Sequence, residues 1–239
     1  MTARRGAAYR DRMSDSPPRS SAPPSPLDDV LDPLPPEFDR PMTAVEFLDL
    51  REQLPEQGQW AELVDGRVRL WPAPEVEHGD IVGNLMRLTT AAVALNPAAG
   101  MPLFRKPVQP RPRSVQTPAM VWLTDGGFAA MDAAALTSPP AWLVEIAGHP
   151  KLRVELPDRM RAYLAWGVSM LWVIDPIAGQ IVQMTADDAT IYESDETIAA
   201  DPVVGTLQVR VAELFREPEL WTRPAVVDDS DSEPTVSPD

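Results

Sequence analysis

"PPAWLVEIAGHP", residues 139–150, decides how this chain is read. Between Ala141 and Ala147 the run is apolar except for Glu145, and two prolines and a Gly-His-Pro phrase punctuate its ends. Such a run reads as a buried strand. In a strand, alternate side chains share a face, so Glu145 falls with Leu143 and Ala147 on an apolar face. A buried carboxylate costs several kcal/mol, about what a lost ion pair costs, unless it is paired, bound or protonated.

Working outward, "ELPDRMRAYLAWG" predicts a helix with Leu156, Met160, Tyr163 and Leu164 on its buried stripe and Gly167 as its stop. "SMLWVIDP" reads as a second fully apolar strand. Upstream, "TAVEFLDLREQLP" places Thr43 and Glu46 in capping-box spacing, predicting a helix closed by Pro55. "WAELVDGRVRLWP" predicts a hairpin turning at Asp65-Gly66. "HGDIVGNLMRLTTAAVAL" puts Ile81, Leu85, Leu88, Ala92 and Leu95 on one helical stripe, with His78 a turn earlier. "PLFRKPVQPRPRSVQTPAMVWL" predicts another hairpin whose proline-bearing first arm lies at a sheet edge. Short strands follow in "QIVQMT", "ATIYE" and "TLQVRV". The order implies an α/β or α+β domain, a mixed sheet between helices.

Of 239 residues, 1–41 carry 9 of the 28 prolines without hydrophobic periodicity, which predicts a disordered Pro/Ser-rich segment. Residues 218–239 predict a disordered acidic tail, leaving 42–217 as the domain, with 23 acids against 14 bases. That acidity disfavours general polyanion binding, because nucleic-acid affinity rests largely on neutralised phosphates. No cysteine is present, which removes disulfides and thiolate metal sites and fits a reducing compartment. No apolar run approaches a membrane span, and no apolar segment follows the N-terminal arginines, so a cytoplasmic protein is expected. Met13 is an alternative start.

The chemistry rests on few residues. Two histidines about seventy positions apart lack metal-ligand spacing and argue against a histidine metal centre, and no nucleophile elbow or phosphate-binding glycine loop occurs. Glu62 and Glu145, each inside a short apolar strand, remain. Each has a plain reading as a surface-facing strand residue, weaker for Glu145. Two inward carboxylates from different elements are also what a magnesium ion uses beside substrate phosphate oxygens.

The ordered phrases "MTAVEFLDL", "WAELVDGRVRLWP", "VQTPAMVWL", "PAWLVEIAGHP", "DRMRAYLAWGVSMLWVIDP" and "VAELF" resemble the Uma-two family, described as putative restriction endonucleases, from about Met42 to Phe215. That family is part of the PD-(D/E)XK nuclease superfamily. The resemblance implies a restriction-endonuclease-like fold, a metal-dependent DNA phosphodiester hydrolase using Mg2+ or Mn2+, and a homodimer. It implies site positions at Glu62, at the residue after Pro118, at Glu145, and at the residue four before Tyr163. Two of them depart from the pattern: Ala119 stands where the family has aspartate, and Arg159 where it has lysine. The superfamily's usual lysine position is Ala147, and Lys151 falls in the following loop. Alanine supplies no metal ligand, and a guanidinium cannot give up a proton. Two functions therefore stay open: a weakened or inactive endonuclease, with Mg2+ or Mn2+ or with no metal cofactor at all, or a non-catalytic nuclease-fold scaffold that meets protein partners through its tails. Arg159 has two readings, a salt bridge to Glu145 or Glu62 and a phosphate contact. His78 and Tyr163 are expected beside the site. Arg105, Lys106, Arg111 and Arg113 form a basic cluster that either contacts nucleic acid or guards a sheet edge.

Overall fold

The computed structural model describes residues 34–72 and 74–217. The two terminal segments expected to be disordered lie largely outside them. Upstream of Met42, the expected boundary, Leu34 and Phe38 pack with Met42, Phe47, Leu63 and Val68. Phe38 lies in a short 3-10 turn, Pro36–Phe38, and burying its ring ties this stretch to the fold.

Helix α1, Ala44–Leu50, carries the expected capping box, with Thr43 and Glu46 satisfying each other's backbone N–H groups. Strands β1, Ala61–Val64, and β2, Arg67–Leu70, pair antiparallel across Asp65 and Gly66, both at positive φ. That backbone is the one an Asp-Gly turn selects. Helix α2, Val76–Leu95, buries Ile81, Leu85 and Ala92 as the stripe predicts. Leu88 is only half-buried, packed at the margin of the core, and Leu95, the last residue of the helix, is exposed. Asn84 and Thr89 complete the buried face, and Asn84 Nδ2 donates to the carbonyls of Leu214 and Arg216.

The stretch predicted as one hairpin is a nested pair. Its outer arms, β3 (Met101–Phe104) and β6 (Met120–Leu123), pair with each other. Between them β4 (Val108–Arg111) and β5 (Ser114–Gln116) fold outward and join β1 and β2. The prolines do confine β3 to a sheet edge, as expected.

Strand β7, Trp142–Ile146, runs parallel to β8, Met170–Asp175, and helix α3, Pro150–Trp166, crosses between them. This βαβ unit is the one parallel pairing between strands of the six-stranded sheet, whose order is β10-β9-β8-β7-β6-β3. Strands β9 and β10 are Gln180–Met184 and Ala189–Tyr192. Helix α3 starts earlier than predicted and takes in Lys151, which the sequence suggested was in a loop; it stops at Gly167, in the left-handed conformation. A small ladder, β11 (Thr197–Ala199) and β12 (Gln208–Arg210), leads into α4, Val211–Leu214.

Trp122, Trp142 and Trp172 come from three adjacent strands and pack in a row, with centroids 6.1 and 4.6 Å apart. They lie on the sheet face covered by α2 and α4. The opposite face, with Leu143, Ala147 and Leu171, is covered by Leu156, Met160 and Tyr163 of α3. Three layers result, with the four-stranded sheet β2-β1-β5-β4 set beside them. Among the described residues no helix is long and apolar enough to cross a membrane.

Candidate active site

Glu145 is where its strand predicted: on the α3 side of β7 and 3% exposed. One turn separates Arg159 and Tyr163 on α3, so both point to the same strand. Tyr163 donates its hydroxyl to Glu145 Oε1 at 2.9 Å. Arg159 donates to that same oxygen through Nη2 at 2.7 Å and Nε at 3.2 Å.

The second carboxylate arrives from the other sheet. Glu62, 4% exposed in β1, accepts from Arg159 Nη1 at 2.5 Å and Nη2 at 3.1 Å. Trp71 Nε1 donates to Glu62 Oε2 at 2.8 Å, and the Thr117 backbone N–H to Oε1 at 2.7 Å. Arg159 thus fastens the two sheets together through one planar fork. Burial pushes the Glu62 carboxyl up; the charge and hydrogen bonds of Arg159, aided by Thr117 and Trp71, outweigh that and hold it below the ordinary carboxylate value. Burial alone would lower Arg159, yet Glu145 and Glu62 raise it well above its usual value, so it is a fixed cation. Burial, with Glu145 adding to it, pushes the Tyr163 phenol well up, leaving it a neutral donor.

Arg153, six residues before Arg159, sets the helix register. Its Nε donates to the Ala147 carbonyl at 2.9 Å, and its Nη2 pairs with Asp175 at the end of β8. Asp175 in turn accepts from the N–H groups of Ile177 and Ala178.

A cleft of about 530 Å³ opens over this cluster. Glu62, Glu145, Arg159 and Ala119 line it, with His78, Trp60, Trp71 and Arg105. Arg159 also lines a second cavity of about 440 Å³, so its side chain forms part of the wall of both. His78 borders the cleft; burial and then Arg105 push its imidazole down to about 4, so it is neutral at pH 7.

The basic cluster does not form one surface. Arg105 lines the cleft, its guanidinium 3.9 Å from the centroid of the Trp60 ring. Lys106 is turned away and donates to the carbonyls of Met131 and Ala133. Arg111 pairs with Asp65 at 3.7 Å, and the Arg113 carbonyl accepts from the Gly66 N–H at 2.7 Å. Both belong to the junction of two hairpin turns, because β4 and β5 leave the sheet that β3 borders. Trp71 and Thr117 escaped the sequence reading as partners of Glu62. The signal for Trp71 was available: a two-residue turn at 65–66 sets residue 60 opposite 71, and Trp71 N–H does donate to the Trp60 carbonyl at 2.8 Å.

Divalent-metal chemistry needs carboxylate oxygens open to the ion. Ala119 has none, both oxygens of Glu62 accept from protein donors, and Oε1 of Glu145 accepts from Arg159 and Tyr163. Of these carboxylate oxygens only Glu145 Oε2 accepts no hydrogen bond among the described residues, a poor fit to such an ion.

The mixed sheet with its βαβ crossover, flanking helices and strand-borne carboxylates defines a restriction-endonuclease-like domain. A family model described as "Putative restriction endonuclease" (Uma2) matches residues 45–213, and the chain belongs to that family. A solved structure from Anabaena variabilis ATCC 29413, described as a putative nuclease belonging to DUF820, is similar at a TM-score of 0.61 and 18% identity. The match covers 70% of this chain and 96% of that one, and at this identity it speaks for the fold. No curated protein matches the chain.

Proposed function

We propose that this protein is a nuclease-fold member of its family that no longer cleaves DNA with a divalent ion. The observation that carries this reading is Arg159, whose guanidinium engages both Glu62 and Glu145. A resident cation holds the two carboxylates, so they need no metal to neutralise them, and Ala119 withholds the third ligand. Hydrolysis of a phosphodiester by this superfamily's chemistry requires an ion that polarises the phosphate and activates water. Arg159 can do the first in part but cannot act as a base.

Incubation with plasmid DNA and Mg2+ or Mn2+ tests the proposal. The natural protein is expected to give no cleavage above a Glu145→Ala control. Ala119→Asp/Arg159→Lys is expected to gain calorimetric divalent binding. Cleavage by the natural protein that disappears in Glu145→Ala would overturn the reading.

A second reading, residual endonuclease activity, is favoured by Glu145 Oε2, which accepts no hydrogen bond among the described residues and belongs to a cleft-lining side chain. The cytoplasmic location, the homodimer and partner contacts through the terminal segments belong to the proposal too. They rest on the cysteine-free composition, the family and the acidic domain.

A further inference from the structure

Arg105 is the second cation of the cleft. Unlike Arg159, it makes no ion pair among the described residues. Its backbone stands at φ 51°, a region long side chains rarely adopt, and its N–H is tied to the Ala119 carbonyl at 3.1 Å. The guanidinium lies over Trp60 and donates to the Gln59 carbonyl at 2.6 Å. Burial pulls its pKa down, with Glu62 and Glu145 only partly offsetting this from a distance. A strained backbone that presents a partly desolvated cation to a cleft points to a missing counter-charge.

The surroundings narrow what supplies it. Both carboxylates beneath are engaged by Arg159. His78 Nε2 and Thr117 Oγ1 are buried without hydrogen-bond partners among the described residues, and both residues line the same cleft. Trp71, Pro72, Pro74, Pro150 and Pro176 make its walls rigid and largely apolar, and its volume falls in the range of small-molecule sites. Exposed Glu75 and Glu77 also line it and oppose a polyanion.

We propose that the cleft binds a small ligand with one oxyanion head on a flat apolar body. The head pairs with Arg105 and the body lies along the Trp71 and proline wall. This goes beyond the loss of cleavage and does not depend on it.

Isothermal calorimetry on the full chain, in EDTA so that no metal-dependent step contributes, tests it with two charged probes. Thymidine 5′-monophosphate represents a nucleotide source and 1-naphthoate an aromatic acid. Their uncharged counterparts are thymidine and 1-naphthalenemethanol. At least one charged probe is expected to bind, and about tenfold more tightly than its counterpart, as one charge-assisted hydrogen bond provides. Arg105→Leu is expected to remove that preference, and Arg105→Lys to keep part of it. Binding of only one charged probe supports the proposal and identifies the source. No binding by either, or a preference unchanged in Arg105→Leu, overturns it. Should Arg105→Leu fail to fold by circular dichroism, the charged–uncharged comparison and Arg105→Lys decide. The cleavage assay bears on loss of activity alone, so either reading can fail separately.

Discussion

Glu62 and Arg159, 97 residues apart in the chain, meet at 2.5 Å with their side chains 5% and 3% exposed. Because Arg159, on α3, also holds Glu145 of β7, it joins two sheets that share no strand. A buried pair seldom adds net stability against a hydrophobic replacement, but removing one partner leaves the other charged and desolvated.

Arg159→Met should therefore cost about 3–5 kcal/mol, because two carboxylates lose their cation at once. Adding Glu62→Gln and Glu145→Gln should recover much of it. Arg159→Lys should fall between, since an ammonium cannot reproduce the fork across two carboxylates. Urea unfolding midpoints at constant m-value measure all three against the natural protein. A single-mutant loss that persists in the triple mutant would show that packing, not charge, holds the sheets.

Acid should lower the protein's stability over two pH windows, with His78 acting in the upper and Glu62 among the groups acting in the lower. His78 has a folded pKa pushed down to about 4. The unfolded state therefore binds its proton first, and stability falls as pH drops from about 6.5 towards 4. Glu62 is also lowered, so its contribution is complete above its unfolded pKa, about 4.3, and is lost as pH falls further. Arg159, raised, keeps its proton throughout and adds no slope. His78→Gln should flatten the upper window and Glu62→Gln the lower. Chemical unfolding at stepped pH separates them.

The order of elements and the cluster were legible to different degrees. Glu145 stood out because a charge in an otherwise apolar strand demands a partner, and Arg159 was a candidate because the family resemblance implies a basic site residue four before Tyr163. The bridge to Glu62 was named as one of two readings, since which strand faces which is a tertiary property. Arg105 looked like one of four equivalent bases. Its separation from Lys106 follows from the outward fold of β4 and β5, which no local periodicity announces. The nested hairpin was missed for the same reason: prolines mark edges, not which sheet an edge belongs to.

Two glycines should differ in how much an added methyl group costs. Gly66, at φ +83°, would bring a Cβ to 2.3 Å from Arg113 Nη2, the far end of a side chain that can move. Gly66→Ala should cost about 1–2 kcal/mol, the left-handed backbone penalty. Gly100, at φ +120°, would drive a Cβ to 2.1 Å from the Leu123 carbonyl, which is fixed in the sheet. Gly100→Ala should exceed about 3 kcal/mol, combining strain with overpacking. Thermal unfolding ranks the two, and equal losses would mean that the Arg113 side chain is as immobile as a strand.

Trp71 offers a test of the hydrogen bonding around Glu62 that leaves every charge in place. Its indole N–H donates to Glu62 Oε2, the oxygen that also accepts from Arg159 Nη1. Trp71→Phe keeps much of the aromatic body and removes the donor. The loss should be about 1.5–3 kcal/mol, the range for a hydrogen bond to a charged group. The same substitution in an Arg159→Met background should cost more, because the indole would then be among the few donors left to a buried carboxylate. A double-mutant cycle by urea unfolding gives the coupling between them. Strictly additive losses would mean that Trp71 acts through packing alone, and that Arg159 alone sets the charge state of Glu62.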